Sequence, residues 1–302
     1  MISKELKEFV RRRSLEKVFF PAAADLGDAA QGPGTGNLIL DLSNFIKLSS
    51  VTLDGNPVSM LAAKYVLQAD NEIKQALDSL GYLPQVKDAQ DNVAQAGYTS
   101  DDISVKNRLG NLNWYEQVPI AQSLGHNRLD NRQGLDFCRL IESGLNGAKV
   151  LDGLDQELRI NEIQDIKDKL MKKENPWRSE YLDTRFEVAD KNVIVYSGHY
   201  TDANLPLQER IKPENIKAKY RIEIPKNSIA MSDGWTKFSD FNEQGLCTRL
   251  EQSDEIYSWY PRDNAVAGLY ADSGRAFLGC DWYPQGSYPG FGVREVRENF
   301  EI

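Results

Sequence analysis

The sequence has few of the residues that usually carry catalysis or hold metal ions. Among 302 residues there are two histidines, His126 and His199, and three cysteines, Cys138, Cys247 and Cys280. Neither histidine has a second His or Cys three or four residues away, as helical zinc sites require. The chain also lacks a Gly-x-Ser-x-Gly elbow, a phosphate loop ending in Lys-Ser/Thr and an Asp-x-Asp-x-Asp-Gly calcium loop. We therefore predict no catalytic residue, no metal site and no cofactor, and we interpret the cysteines as small buried hydrophobic residues.

Long apolar runs and a signal peptide are missing as well. No stretch of about 18 apolar residues occurs, and the first residues lack the apolar region and cleavage site of a secretory signal. The formal net charge of -9 repels a phosphate backbone. We expect no membrane insertion and no nucleic-acid partner. These absences leave a virion component, a protein that reaches a cell surface by another export route, or an intracellular role.

The first hundred residues differ from the rest in having few aromatic side chains. Residues 59–80 are predicted to form an amphipathic helix, because apolar residues recur there at near-helical spacing and Gly81 follows as a C-cap. These apolar residues are Leu61, Tyr65, Ile73, Leu77 and Leu80. We predict that residues 1–100 form a mostly helical region for mounting or oligomerisation, and that residues 101–302 form a second domain.

The second region is predicted to be α+β. Helices are expected at 114–125, after the capping residue Asp130 as far as Gly144, and around Ile163, Ile166 and Leu170. Alternating β-branched and aromatic residues between turn formers then predict strands. These strands are at 184–189, 192–197, 219–224, 265–271 and 275–281.

The two strands nearest the C-terminus have two unlike sides. Side chains of a strand point alternately to opposite faces, which predicts a core face of small and aliphatic residues. That core face consists of Ala267, Leu269, Ala271, Ala276, Leu278 and Cys280. The opposite face mixes aromatic residues, glycines and acidic residues, and a loop rich in Tyr, Ser and Gly extends it. Such residues suit a binding surface, since Tyr offers a large contact area at a small cost in rotamer entropy.

Several separated motifs occur in the order found in one known family. In the C-terminal part they are Trp259-Tyr260-Pro261-Arg262, Val266-Ala267, Ala271-Asp272-Ser273-Gly274-Arg275-Ala276, Leu278-x-Cys280 and Gly292-Val293-Arg294. Upstream they are Trp114-Tyr115-Glu116-Gln117, Arg128-Leu129, Leu135-Asp136-Phe137-Cys138-Arg139-Leu140 and Trp177-Arg178-Ser179-Glu180-Tyr181-Leu182-Asp183. The sequence resembles the variable proteins of diversity-generating retroelements, and most of all the group found in archaea and their viruses. The resemblance covers about residues 104–298.

The resemblance implies a C-type lectin fold in the C-terminal two thirds of the chain, with a variable region at about residues 260–298. In this family a retroelement mutates the adenines of a template, which changes the ligand-binding residues and leaves the scaffold alone. Positions that match the fixed scaffold are Leu269, Ala276, Leu278, Cys280 and Val293. The implied ligand-binding positions are Asn264, Gly268, Tyr270, Asp272, Phe277, Gly279, Asp281, Tyr283, Gly286, Tyr288, Gly290 and Phe291. A Trp codon cannot arise by changing only the adenines of AAC or AAT, so Trp282 is assigned to the scaffold.

The sequence therefore predicts a non-enzymatic protein that recognises a protein or another macromolecular ligand through this variable surface. A structural virion component, assembled through residues 1–100, is one alternative. An enzyme of the formylglycine-generating type, which shares the C-type lectin fold, is another. That enzyme would need a pocket with paired cysteines, for which Cys247 and Cys280 are the candidates.

Overall fold

The computed structural model describes residues 41–66, 112–123, 125–171, 179–272, 275–286 and 291–298. In these residues the protein has a mixed α+β structure with four α-helices and two β-sheets, and most of it is sheet. The predicted α+β class is confirmed there. None of the helices in the described ranges is both long and apolar enough to cross a membrane.

The elements follow one another along the chain without an internal repeat. The helices are α1 (Trp114–Ser123), α2 (Asn131–Leu145), α3 (Ile160–Met171) and α4 (Leu207–Arg210). The strands are β1 (Phe45–Val51), β2 (Pro57–Ala63), β3 (Ser179–Val188), β4 (Asn192–Thr201), β5 (Ile216–Pro225), β6 (Gly234–Thr236), β7 (Ile256–Ser258), β8 (Val266–Asp272), β9 (Arg275–Trp282), β10 (Phe291–Gly292) and β11 (Val296–Glu298). The five predicted strands correspond to β3, β4, β5, β8 and β9.

Local sequence signals determine where the first two helices begin and end. The Asp130 carboxylate accepts from the Gln133 amide N–H, and the Gln133 side chain accepts from the Asp130 N–H, both at 2.9 Å. This reciprocal capping box satisfies two donors at the start of α2. Helix α1 ends just before Gly125, whose φ of 74° suits glycine. Helix α2 runs one residue past Gly144, where a Cβ atom would lie 2.5 Å from the Val150 side chain and 3.0 Å from that of Ile163, so this glycine makes room for packing and does not end the helix.

The larger sheet has the strand order β5-β4-β3-β8-β9-β7-β6, and β10 pairs with β3. Most neighbours are antiparallel, but β7 runs parallel to β9 and β10 runs parallel to β3. Across β8 and β9, Leu269 lies opposite Leu278, and Tyr270 lies opposite Phe277. Residues directly opposite each other share one face of a sheet. The register therefore collects the aliphatic residues on one face and the aromatic residues on the other.

The N-terminal part of the described chain is a hairpin, and the helix predicted from residue 59 is wrong over residues 59–63. Residues 57–63 form β2, the middle strand of a three-stranded sheet with the order β1-β2-β11. The preceding segment 41–56 consists of a short 3-10 turn, β1 and a turn, so the expected mostly helical character is also wrong for residues 41–66. Residues 67–80 of the predicted helix lie outside the described residues.

The pattern of β2 misleads because both of its faces are buried. Met60 and Ala62 face the main core, whereas Leu61 packs on the other side with Leu42 and Phe45. A strand with apolar residues on both sides lacks the alternation that identifies a half-buried strand. Helical spacing then fits its apolar residues by chance.

The main core lies between one face of the larger sheet, helices α2 and α3, and the hairpin of β1 and β2. We call this side of the sheet the inner face. Helix α2 approaches it closely at Gly134, where a Cβ atom would lie 2.9 Å from Leu269 and 3.0 Å from Leu182. The hairpin thus shares its core with residues that follow position 125.

A buried ion pair joins the C-terminal segment to both sheets. The Arg294 guanidinium donates two hydrogen bonds to the Glu180 carboxylate, at 2.9 Å and 2.5 Å, and a third to the Ala63 carbonyl. Both charged side chains are almost completely buried, being 4% and 5% exposed. The guanidinium also covers the ring of Phe137 on α2 at 4.5 Å. Removing one partner of such a pair leaves an uncompensated buried charge, so this contact fixes the segment that follows β10.

Candidate functional site

The inner side of β8 and β9 is part of the core, as the sequence predicts. Ala267, Leu269, Ala276, Leu278 and Cys280 are all at most 3% exposed and belong to one contiguous cluster. The side chain of Ala271 is not among those described. These two strands are therefore fixed by apolar contacts on one side, which leaves their other side available for a different role.

The outer side of the same sheet carries six half-buried aromatic side chains, which we call the aromatic face. They are Trp235 on β6, Tyr257 on β7, Trp259 directly after β7, Tyr270 on β8, and Phe277 and Trp282 on β9. Each ring contacts at least one other ring of the set, with centroids 4.9 to 5.8 Å apart. Phe277 is central and stacks on Tyr270 at 4.9 Å with an interplanar angle of 17°. The set forms one continuous surface that is partly exposed to solvent.

Polar contacts hold several of these rings in place. The Trp259 Nε1–H group donates a 2.7 Å hydrogen bond to the Tyr270 hydroxyl, which links the end of β7 to β8. At the β6 end, the Arg275 guanidinium lies 5.0 Å from the centre of the Trp235 ring. These two residues also border an open, shallow depression next to Ser253. Fixed rings offer contact area without losing rotamer freedom on binding.

Gly279 is buried because the Trp282 ring lies directly over it. A Cβ atom on Gly279 would approach the Trp282 Cδ1 atom to 2.7 Å and its Nε1 atom still more closely. Glycine at this position lets the Cδ1–Nε1 edge of the indole approach β9, with its ring roughly perpendicular to the Tyr270 ring at 5.6 Å. Gly279 also pairs across the strands with Gly268, which is buried too. The two glycines thus make room for an aromatic ring instead of presenting side chains of their own.

A small group of charges lies at the β9 end of the aromatic face. The half-buried Asp281 carboxylate lies over Gly279 beside the indole, its Oδ1 atom 3.3 Å from the point that a Cβ atom on Gly279 would occupy. Arg262 forms a 3.3 Å ion pair with Asp233 and also donates to the hydroxyl of Tyr260. Burial raises the pKa of Asp281 and Asp233 adds to this shift, whereas Arg262 and a hydrogen bond from the Asp281 backbone N–H oppose it. The carboxylate therefore lies in a site that costs free energy when it is charged.

The turn after β9 is anchored to the scaffold from below. The Tyr181 hydroxyl donates to the Gly286 carbonyl at 2.9 Å, and the first amide of α1, that of Trp114, donates to the Pro284 carbonyl at 3.0 Å. Tyr283 projects from this turn and is 70% exposed. Its backbone is fixed while its side chain faces solvent, so Tyr283 is placed to contact a ligand.

Helix α1 covers the part of the outer face next to the aromatic face. Trp114 and Val118 pack on Tyr181 and Val266, and Trp282 lies at the edge of this group. The Trp114 Nε1–H group donates to the Leu182 carbonyl at 2.8 Å. Strands β6 to β9 beyond this helix are not covered by another described helix or strand. The edge of α1 therefore marks where the aromatic face begins.

The structure brings together some of the predicted ligand-binding residues. Tyr270, Phe277, Asp281 and Tyr283 lie on or next to the aromatic face. Gly268 and Gly279 are on the same face but buried, and Gly286 is held by a backbone contact. Asn264 is exposed with a positive φ of 54° and lies just before β8, whose first residue, Val266, pairs with Trp282. Tyr288 and Gly290 lie outside the described residues; Asp272 and Phe291 are strand residues whose side chains are not described.

Three members of the aromatic face, Trp235, Tyr257 and Trp259, were not predicted as ligand-binding residues. Strands β6 and β7 are three residues long, too short for the alternation that identified β8 and β9. Trp282, assigned to the scaffold, lies on the outer face and packs against Tyr270. A signal was present in the sequence, since Tyr257 and Trp259 lie two residues apart with the smaller Ser258 between them.

His199 and the three cysteines are inaccessible where the structure describes them, and the half-buried His126 has its Nδ1 atom 2.8 Å from the Glu295 carboxylate. His199 lies buried between Trp114 and Asp183, with its Nδ1 atom 2.9 Å from the carboxylate that Arg128 also binds. All three cysteines are buried, and burial raises the pKa of each thiol, which disfavours the reactive thiolate. Within the described ranges no three His, Cys, Asp or Glu residues are placed to hold a metal ion.

Comparisons with protein family models, with curated proteins and with solved structures found no match to this chain. The chemistry of the site therefore follows from its own contacts. Those contacts describe a rigid, partly exposed aromatic surface with one carboxylate beside it.

Proposed function

We propose that this chain is a non-enzymatic ligand-binding protein whose aromatic face and the adjoining turn at Tyr283 contact a macromolecular ligand, most simply a protein surface. The observation that carries this proposal is the contrast between the two sides of β8 and β9. One side is fully buried, whereas the other carries Tyr270, Phe277 and Trp282, which belong to the half-buried aromatic face. Contiguous exposed apolar surface is rare on proteins that have no partner for it.

The composition of this surface suits protein recognition. Trp and Tyr are the residue types that most often dominate binding energy at protein interfaces. Here Trp259 and Tyr270 are held by a mutual hydrogen bond, and Phe277 stacks against Tyr270. Because these side chains are already ordered, binding would require little further loss of side-chain entropy. The nearby depression is open and shallow, a shape that fits a protein surface better than an enclosed substrate.

We also propose that the C-terminal two thirds of the chain adopt a C-type lectin fold and that a retroelement diversifies the outer positions. Helices α2 and α3 pack on one side of antiparallel strands and the aromatic face lies on the other, which supports the first part. The proposal that the outer positions are diversified is supported by the placement of Leu278 and Phe277 on opposite faces of β9, since the outer residue lies outside the main core. Sequencing of the encoding locus tests the proposed diversification. We expect a reverse transcriptase gene and a near-copy of the codons for residues 260–298 that differs at adenines. A locus without this copy would refute diversification.

A pair of matched libraries tests the binding function. In the first, Tyr270, Phe277, Asp281 and Tyr283 are randomised in the full chain; in the second, the four exposed residues at 217, 219, 221 and 223 of β5 are randomised. Both are displayed and selected against a panel of unrelated purified proteins. We expect binders to several targets from the first library and few from the second, because only the first varies a surface built on fixed aromatic rings. Equal yields from both libraries would contradict the proposal.

A further inference from the structure

The charges beside Trp282 do not balance. Asp281 and Asp233 supply two negative charges, and Arg262 supplies one positive charge. The Arg262 guanidinium is engaged by Asp233 at 3.3 Å and by the hydroxyl of Tyr260, and it lies 3.8 Å from the centre of the Tyr260 ring. Among the described residues, no side chain forms an ion pair or a hydrogen bond with the Asp281 carboxylate. Among the described residues, the half-buried Asp281 carboxylate is therefore the negative charge left over at this end of the aromatic face, stabilised only by Arg262 at a distance and by a hydrogen bond from its own backbone N–H.

Such a carboxylate is unfavourable in the unbound protein. It is partly withdrawn from water and lies against an indole ring, where the charged form is poorly solvated. The raised pKa of Asp281 has the same physical origin, namely burial. A positively charged partner would relieve this cost, whereas an anionic partner would increase it and an apolar partner would complete the desolvation without a counter-charge.

Guanidinium groups already lie over aromatic rings at both ends of the aromatic face. Arg275 lies over Trp235 at one end of the aromatic face, and Arg262 lies over Tyr260 at the other. Cations are attracted to the faces of Trp and Tyr rings, and more strongly where water is excluded. A cationic side chain from a partner would gain the same ring contacts here, and Asp281 would add a charge-assisted hydrogen bond.

We propose that the aromatic face binds an arginine or lysine side chain of a protein ligand, and that Asp281 is the carboxylate that pairs with it. This inference rests on the proposed function and adds the chemical class of the ligand. The occupant is a basic segment of another protein, because charge complementarity favours it over acidic and uncharged segments.

Selection of random linear peptides against the immobilised full chain tests this assignment. We expect the selected peptides to be enriched in Arg and Lys over the starting library. Individual peptides should then bind the Asp281→Asn variant about tenfold more weakly, which is the loss expected for one charged contact at an interface. Asp190→Asn is the matched control: it removes the same charge from an exposed position in the turn between β3 and β4, and it should leave binding unchanged.

Circular dichroism and the unfolding midpoint establish that the variants are folded. Peptides that bind through Tyr270 and Phe277 but show no basic bias, or that tolerate Asp281→Asn, would overturn the cationic assignment while leaving the proposed function standing. Peptides whose binding is unaffected by Phe277→Ser and Tyr270→Ser would overturn both. Equal weakening by Asp190→Asn and Asp281→Asn would show that net charge, and not this carboxylate, attracts the peptides.

Discussion

Phe277 and Leu278 are neighbours in the sequence, yet they meet different surroundings. Leu278 points to the inner face and is 0% exposed, packed in the main core. Phe277 points to the outer face, is half-buried and contacts other aromatic rings that are half-buried as well. The register of a strand is strongly specified when one of its sides is buried. The comparison shows how one pair of strands can separate folding from recognition.

The outer face is itself divided by helix α1. Where α1 covers the sheet, Tyr181 and Val266 are buried like core residues. Beyond the helix, Tyr270 on the same side of the sheet as Val266 is only half-buried. A residue on the outer face is therefore buried or partly exposed according to whether another element, here α1, packs against it.

Gly279 is an outer-face position where we expect a substitution to destabilise the fold, more than at the other outer-face positions. A Gly279→Ala substitution places a methyl group where the Trp282 ring lies, so the ring must move away from Tyr270. We expect the free energy of unfolding to fall by about 2 kcal/mol, as for overpacking elsewhere. Urea unfolding followed by tryptophan fluorescence measures this loss.

The matched control for that experiment is Gly147→Ala, at a site where no atom lies within 4 Å of the added methyl group and only the positive φ of 93° resists it. Gly279 has no positive φ, so Gly147→Ala gives the size of a purely backbone penalty, and a loss at Gly279 reports the clash with the Trp282 ring. A neutral Gly279→Ala would show that this position tolerates variation.

Asp281 should show a smaller effect of the opposite sign. Because burial raises its pKa in the folded protein, ionisation of Asp281 opposes folding, so Asp281→Asn should increase the free energy of unfolding at pH 7. Solvent screening of this half-exposed group limits the gain to a few tenths of a kcal/mol. The gain should vanish below the ordinary pKa of 3.8, where the carboxyl is protonated in both states.

Urea denaturation at pH 7 and pH 3 measures this difference, with Asp190→Asn as the exposed control. A loss of stability at pH 7 would mean that the carboxylate has a structural partner. A gain of stability for Asp281→Asn would distinguish this outer-face residue from the stabilising residues of the inner face, because residues kept for binding often lower stability.

Much of the scaffold could be predicted because its signals are local. The capping box at Asp130, the glycine after α1 and the alternation at 276–281 depend on neighbouring residues alone. The inner face of β8 and β9 followed from the same alternation. These predictions needed no knowledge of which elements pack together.

The failures concern contacts between distant residues. Strand β2 was mistaken for a helix because both of its faces are buried, Met60 and Ala62 in the main core and Leu61 against Leu42 and Phe45. Trp235 and Tyr257 join the aromatic face only through the pairing of β6 with β7 and of β7 with β9, over strands too short to identify. The burial of Gly279 depends on the orientation of Trp282, which sequence periodicity does not specify.

The central claim is that Phe277 is a surface residue and Leu278 a core residue. The direct test compares the free energies of unfolding of Phe277→Ala and Leu278→Ala with that of the unsubstituted chain, by urea denaturation under identical conditions. We expect a loss of about 3 kcal/mol for Leu278→Ala and about 1 kcal/mol for Phe277→Ala. Since a buried Phe normally costs as much as a buried Leu or more, a loss for Phe277→Ala equal to or above that for Leu278→Ala would contradict this claim.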